Sequence, residues 1–295
     1  MPEFAKIAWL KILAALVVLS WSAPVAAAKI RFTFTGWEGP PLHVWVSRPV
    51  NLAPDRPVVF VMHGVNRNAD EYRDQWHELA LQHDFLLVVP EFNRRDFPGA
   101  EGYNLGKLKT SDGRLAPRSQ WSYAAIEPIF DDVRKRFGMT TDQYALYGHS
   151  AGSQFVHRFV FHMPRARVSQ IVSANAGWYM MPDYDTRFPY GLGDSLVTLE
   201  MLTAALQLPV TILLGDQDTD PDDPNLRRAP EAMAQGANRL QRGQKFFASA
   251  EAMATRLAVP FNWQLVLVTG ADHDNRLMAP AAIPYLVDVD SGVGE

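Results

Sequence analysis

The stretch Tyr144–Phe159, YALYGHSAGSQFVHRF, decides the reading of this chain. Within it Gly148-His149-Ser150-Ala151-Gly152 is a G-x-S-x-G motif. The apolar run before it (Gln143–Tyr147) reads as a short strand, and Ser150–His162 reads as a helix. A strand that turns at once into a helix strains the backbone at the bend. It also presses the residues two before and two after the bend together, so both must be very small. The reward is an exposed Ser150 hydroxyl at the carboxyl edge of a sheet and at a helix N-terminus, where free amides favour negative charge.

Outward from the motif the pattern alternates. Pro57–Met62 (PVVFVM), Phe85–Val89, Val168–Ser173, Pro209–Leu214 (PVTILL) and Trp263–Val268 (WQLVLV) are apolar runs of the kind expected for parallel strands buried on both faces. Ala69–His83, Ser119–Phe137 and Asn275–Leu286 carry helical spacing between them, as does Asn238–Leu257, whose apolar residues are read as core. Upstream, Lys29–Trp37 and Leu42–Val46 flank Gly39-Pro40-Pro41 and predict an N-terminal hairpin with an edge strand. The long segment Arg94–Arg118 shows no period and is expected to be a surface loop; Gly177–Ala205 and Asp216–Gln244 are expected insertions, with Asp183–Gly191 forming a partial lid. Strands alternating with helices from residue 57 onward imply an α/β fold, a mostly parallel central sheet with helices on both faces, in one domain over 29–295.

A serine hydroxyl needs a base to act as a nucleophile at neutral pH. His273, in VTGADHDN after the last strand, is the best placed of the eight histidines. His43, His63, His77 and His83 precede the serine, His157 and His162 follow it on the same helix, and His149 sits beside it in the bend. The imidazole needs an orienting acid, expected after PVTILL, where GDQDTDPDD supplies Asp218 and, as the alternative, Asp216. The developing oxyanion needs backbone donors, and these are assigned to Ala151 and Val65, with Asn66 as a further possibility. The surface around the serine is assigned to His63, Gly64, Asn66, His149, Trp178 and Tyr179.

Other chemistries are disfavoured. The aspartate run matches a calcium loop at Asp216, Asp218 and Asp220 but places Pro221 where glycine and Arg227 where glutamate are required. His157 and His162 are five apart, not the four of a helical metal pair, so no metal is expected. With 28 basic and 32 acidic residues there is no basic excess to collect phosphates, which argues against nucleic acid. There is no cysteine, hence no disulfide or thiolate chemistry. Residues 1–28, with Lys6 and Lys11, the apolar run Ile12–Leu19 and Ala26-Ala27-Ala28, read as a cleaved signal peptide. A secreted or periplasmic protein without a stable membrane anchor is expected.

MHGVN, GHSAG, GDQD and GADHD, in that order and over about residues 57–286, resemble the α/β-hydrolase superfamily. The layout is most similar to compact exported esterases related to polyhydroxybutyrate depolymerases and feruloyl esterases. That resemblance implies a triad of Ser150, His273 and Asp218, an acyl-enzyme intermediate and no cofactor. It implies a small or oligomeric carboxylic ester as substrate, while the lack of disulfides and of a polymer-binding module argues against an insoluble polymer. A peptidase or acyltransferase on the same triad, and a non-catalytic binding protein of the same fold, are the competing expectations.

Overall fold

The computed structural model describes residues 27–287; the signal peptide expected over residues 1–28 lies outside these apart from Ala27 and Ala28, and Ala28 already opens the first strand. Eight strands form one sheet: β1 (Ala28–Phe34), β2 (Leu42–Arg48), β3 (Val58–Met62), β4 (Leu86–Glu91), β5 (Tyr144–His149), β6 (Val168–Ala174), β7 (Val210–Gly215) and β8 (Trp263–Val268). Their spatial order is β1-β2-β4-β3-β5-β6-β7-β8. β1 and β2 form the expected antiparallel hairpin, β2 is antiparallel to β4, and every later pairing is parallel.

The period of two along the central strands sorts the core into two layers. Val58, Phe60 and Met62 of β3, with Tyr144 and Leu146 of β5, face one layer. It is closed by α3 (Ile126–Phe137), α4 (Ala151–His162), α5 (Leu199–Leu206) and α7 (Arg239–Leu257). Val59 and Val61, with Ala145 and Tyr147, face the other, closed by α1 (Ala69–Gln82) and α8 (Asn275–Ala282). Both faces are covered, so β3 is buried at every position.

The order of the middle strands sets the site. From β3 the chain crosses to β4 on one side, then returns to place β5 on the other. The loops after β3 and β5 therefore leave the sheet in opposite directions from adjacent carboxyl ends. The crevice between them is where an open parallel sheet binds its ligand.

Three expectations need correction. Arg94–Arg118 is not a surface loop: it contains the short helix α2 (Gly99–Gly102), and Phe97 and Tyr103 are fully buried. Tyr103 donates its hydroxyl proton to the His63 carbonyl, 2.8 Å away. The segment is irregular, so its apolar residues reach inward without a period that a sequence could reveal. β8 is not buried on both faces. It is the outer strand beyond β7, and only Trp263 of its six residues is buried. Ser119–Phe137 also begins later as a helix than expected, with short 3-10 turns at Arg118–Gln120 and Ser122–Ala125 leading into α3.

Four histidines are buried: His63, His149, His157 and His162. Burial disfavours the charged imidazole. It lowers His63 from an ordinary 6.5 to about 3 and His162 to about 4, and pushes His149 and His157 well below the ordinary value. Below pH 6.5 the unfolded chain binds protons that the folded chain excludes. The stability is therefore complete above that pH and is lost as the pH falls towards 4. Each such group contributes a slope of up to about 1.4 kcal/mol per pH unit. The melting temperature followed by circular dichroism is expected to drop steeply between pH 6.5 and 4.5, and a flat profile there would contradict this account.

Candidate active site

Ser150 occupies the tight turn between β5 and α4 with φ 58° and ψ −116°. This left-handed conformation is uncommon for a residue with a Cβ and persists only where the surroundings impose it. They do so by close approach of backbone. A Cβ on Gly152 would stand 1.9 Å from the Met62 carbonyl oxygen, and one on Gly148 would stand 2.3 Å from that of Gly152. Only glycine fits at either place, and the pair forces α4 against the end of β3.

The Ser150 hydroxyl meets His273 Nε2 at 3.0 Å, and His273 Nδ1 meets Asp218 Oδ2 at 2.7 Å. An ionised carboxylate only accepts, so Nδ1 carries the imidazole proton and Nε2 is free to accept from Ser150. Asp218 is 4 % exposed, and its other oxygen accepts from the Arg239 guanidinium at 3.2 Å. Asp216, the alternative acid, is placed elsewhere: its Oδ1 accepts from the Gly270 N–H at 2.8 Å, tying the loop after β7 to the loop after β8.

Those loops are stitched at further points. The Gln217 N–H donates to the Ala271 carbonyl at 2.9 Å. Asn175, buried just past β6, accepts from the Gly215 N–H at 2.9 Å and donates to the Asp272 carbonyl at 3.0 Å. The loops after β6, β7 and β8 thus hold the carboxylate and imidazole in register beside Ser150, which follows β5. Asn175 and Arg239 escaped the sequence reading because neither belongs to a motif. The one available signal for Asn175 was its place at the carboxyl end of a core strand.

Val65 and Ala151 border the same cavity as Ser150. The Ala151 N–H is the first of α4 and has no partner within the helix. Among the described residues neither it nor the Val65 N–H donates to a protein acceptor. Gly64, Asn66 and His149 line a second, adjoining cavity beside His273, and Trp178 lines the first. His149 is nearly buried, shares a 3.0 Å hydrogen bond with the Tyr72 hydroxyl, and lies 4.8 Å from the His273 ring centre. The Tyr72 hydroxyl also fits against Gly64, where a Cβ would stand 2.9 Å away, so the bend and the loop after β3 share one support.

Two assignments to the substrate surface fail. His63 is fully buried; its Nε2 accepts from the Phe92 N–H at 3.1 Å and its ring stacks on Tyr103 at 4.7 Å. It points into the core beneath the loop rather than into the cleft. Tyr179 is likewise fully buried, stacked on Phe246 at 4.5 Å, with its backbone clamped by Gln235. The chain bends at Gly177-Trp178, so Trp178 lines the cleft while Tyr179 turns into the core. His157 and His162 bond the carbonyls of Ser153 and Arg158, one turn back on their own helix, at 2.9 and 2.8 Å.

Among the described residues no helix is long and apolar enough to cross a membrane. No protein-family model matches the chain. A bifunctional acetylxylan esterase/xylanase, XynS20E from Neocallimastix patriciarum, is 27% identical over 121 residues, which are 40% of this chain and 15% of that protein. The poly(3-hydroxybutyrate) depolymerase LpqC from Bordetella parapertussis is 35% identical, with a TM-score of 0.83 over 89% of this chain and 92% of its own. Poly(aspartic acid) hydrolase-1 from Sphingomonas sp. KT-1 is 44% identical, with a TM-score of 0.85 over 88% of this chain and 98% of its own. With that identity over nearly the full length of both solved structures, the chain belongs to the α/β-hydrolase superfamily, in the group of depolymerase-like hydrolases.

Proposed function

We propose that the protein is a serine hydrolase that cleaves carboxylic esters through an acyl-enzyme. The observation that carries this reading is the unbroken hydrogen-bonded chain from Ser150 through His273 to Asp218. Ser150 Oγ attacks the ester carbonyl carbon as its proton passes to His273 Nε2, and the Val65 and Ala151 N–H groups hold the oxyanion. The tetrahedral adduct collapses, His273 gives that proton to the departing alcohol, and Ser150 is left acylated. Water then attacks the acyl carbon while His273 takes its proton. Collapse of the second adduct releases the carboxylic acid and returns the proton to Ser150. Asp218 keeps the imidazole in the useful tautomer and stabilises its cationic form.

A second reading has support of its own. The relative at 44% identity is named for hydrolysis of poly(aspartic acid), a polyamide bearing a carboxylate on each unit. The same triad would cleave its amide links, with an amine leaving in place of an alcohol. Action outside the cytoplasm, after removal of residues 1–28, fits either reading.

A fluorophosphonate probe tests the shared step. Labelling confined to Ser150 and abolished in Ser150→Ala is the expected result; folded protein that takes up no label would point to a binding protein of this fold. Product analysis with matched ester and amide substrates then separates the two bonds.

A further inference from the structure

Ser150 divides the cleft into two halves of different charge. On one side, with Val65, Ala151 and Trp178, is a cavity of about 290 Å³. Arg67, Arg94, Arg227 and Arg239 line it, and no aspartate or glutamate does. On the other side, with His149 and His273, is a cavity of about 200 Å³ whose one charged wall besides the histidine is Asp274.

The arginines are not equivalent. Arg239 is neutralised by Asp218 at 3.2 Å and Asp223 at 3.0 Å. Arg67, Arg94 and Arg227 take part in no salt bridge among the described residues. Their partners are neutral. Arg67 donates to the Phe92 and Gly99 carbonyls at 2.5 and 2.7 Å and lies 4.4 Å from the Tyr103 ring centre. Arg94 donates to the Val65 carbonyl at 3.1 Å, and Arg227 to the Tyr190 hydroxyl at 2.9 Å. Such contacts aim the guanidinium groups and leave their charge unbalanced.

Behind this wall the excess continues. Among the described residues Arg158 is fully buried without a carboxylate partner, 4.1 Å from the centre of the Trp178 ring, which Arg227 also approaches at 5.4 Å. Burial, with a smaller contribution from Arg227, holds its guanidinium down at about 10, and burial and then Arg94 lower Arg67. Like charges are thus gathered at one spot in a chain of net charge −4. A charged cleft with low-dielectric walls concentrates ligands of opposite sign.

The triad gives the two halves their roles. His273 must hand its proton to the leaving group, so the leaving group lies on the His273 side and the acyl group lies on the arginine side. We propose that the arginine-lined half is an acyl subsite for a carboxylate-bearing acyl group, gripped by Arg94 and Arg227 against the fixed charge of Arg67, while the leaving group is uncharged. This assignment rests on the Ser150 hydrolase reading and adds to it the sign and the position of the charge on the substrate.

Two pairs of activated esters test it on the full protein. In the first, the 4-nitrophenyl monoester of adipic acid is compared with that of hexanoic acid, so that a carboxylate replaces a terminal methyl with the leaving group unchanged. In the second, the acetate esters of 4-hydroxybenzoate and 4-hydroxybenzamide place the charge on the leaving group instead. The adipate-to-hexanoate ratio of kcat/KM is expected to exceed about ten at low salt and to shrink as salt rises. The ratio should fall about tenfold in Arg94→Gln with Arg227→Gln, which removes charge-assisted hydrogen bonds, and should be largely kept in the lysine variants. A ratio near one, a ratio unmoved by the glutamine variants, or a preference for charge on the leaving group overturns the assignment while leaving the hydrolase reading intact. No turnover of any of the four esters removes the hydrolase reading and this assignment with it.

Discussion

Ser150→Ala is expected to lower kcat on an activated ester by about a millionfold, because nucleophile and base act as one unit and losing either costs nearly as much as losing both. Nothing else in the cleft can replace it. His149 is held by Tyr72 and turned to the side, and among the described residues no other hydroxyl lies within hydrogen-bonding distance of His273 Nε2. The residual rate over water, about 10³–10⁴-fold, would come from the Val65 and Ala151 amides and from substrate positioning. Alanine tolerates the backbone at this position about as well as serine, so the melting temperature should hardly move. The measurement is burst-phase and steady-state release of nitrophenol, with the fold followed by circular dichroism. A variant that keeps about a hundredth of wild-type turnover or more would mean that some other group is the nucleophile.

Asp218→Asn comes next, with an expected loss of about 10⁴-fold in kcat and little change in KM. An amide can donate to His273 Nδ1 where the carboxylate could only accept. That moves the ring proton to Nε2 and turns the acceptor facing Ser150 into a donor. The substitution also removes one of two carboxylates beside the buried Arg239, but Asp223 still pairs with that cation at 3.0 Å, so the fold should survive. Asp216→Asn supplies the comparison. Among the described residues its carboxylate bonds only the Gly270 amide and the Gln217 side chain, so its loss should loosen a loop without reversing a tautomer. Equal losses in the two variants would remove the distinction between the acids.

The parts of this molecule that could be read from residue order are those governed by a repeat or a steric rule. β3 is apolar at every position, and β5 and β7 are mostly so, because all three are buried along their whole length, and the two glycines around Ser150 are demanded by the turn. Spacing after consecutive strands brought His273 and Asp218 into view for the same reason. β8 was misjudged as buried because Trp-Gln-Leu-Val-Leu-Val is apolar enough for a central strand, and composition does not tell a strand whether another will pair beyond it. The segment around Tyr103 was misjudged because irregular backbone buries side chains without a period. His63 was misplaced because the sequence puts it next to Gly64 and cannot say that its ring turns inward to the Phe92 amide. The arginine wall was invisible for a further reason: Arg67, Arg94 and Arg227 come from two loops after neighbouring strands and from a distant insertion, and only the fold brings them to one cavity.

The left-handed backbone at Ser150 sets reactivity against durability. A residue with a side chain held there raises the energy of the folded state by about 1–3 kcal/mol, and glycine would be at ease in the same place. Variants selected only for resistance to heat would be drawn towards a glycine at position 150 and would emerge sturdier and inert. Any campaign to harden this enzyme therefore has to screen for turnover at every round.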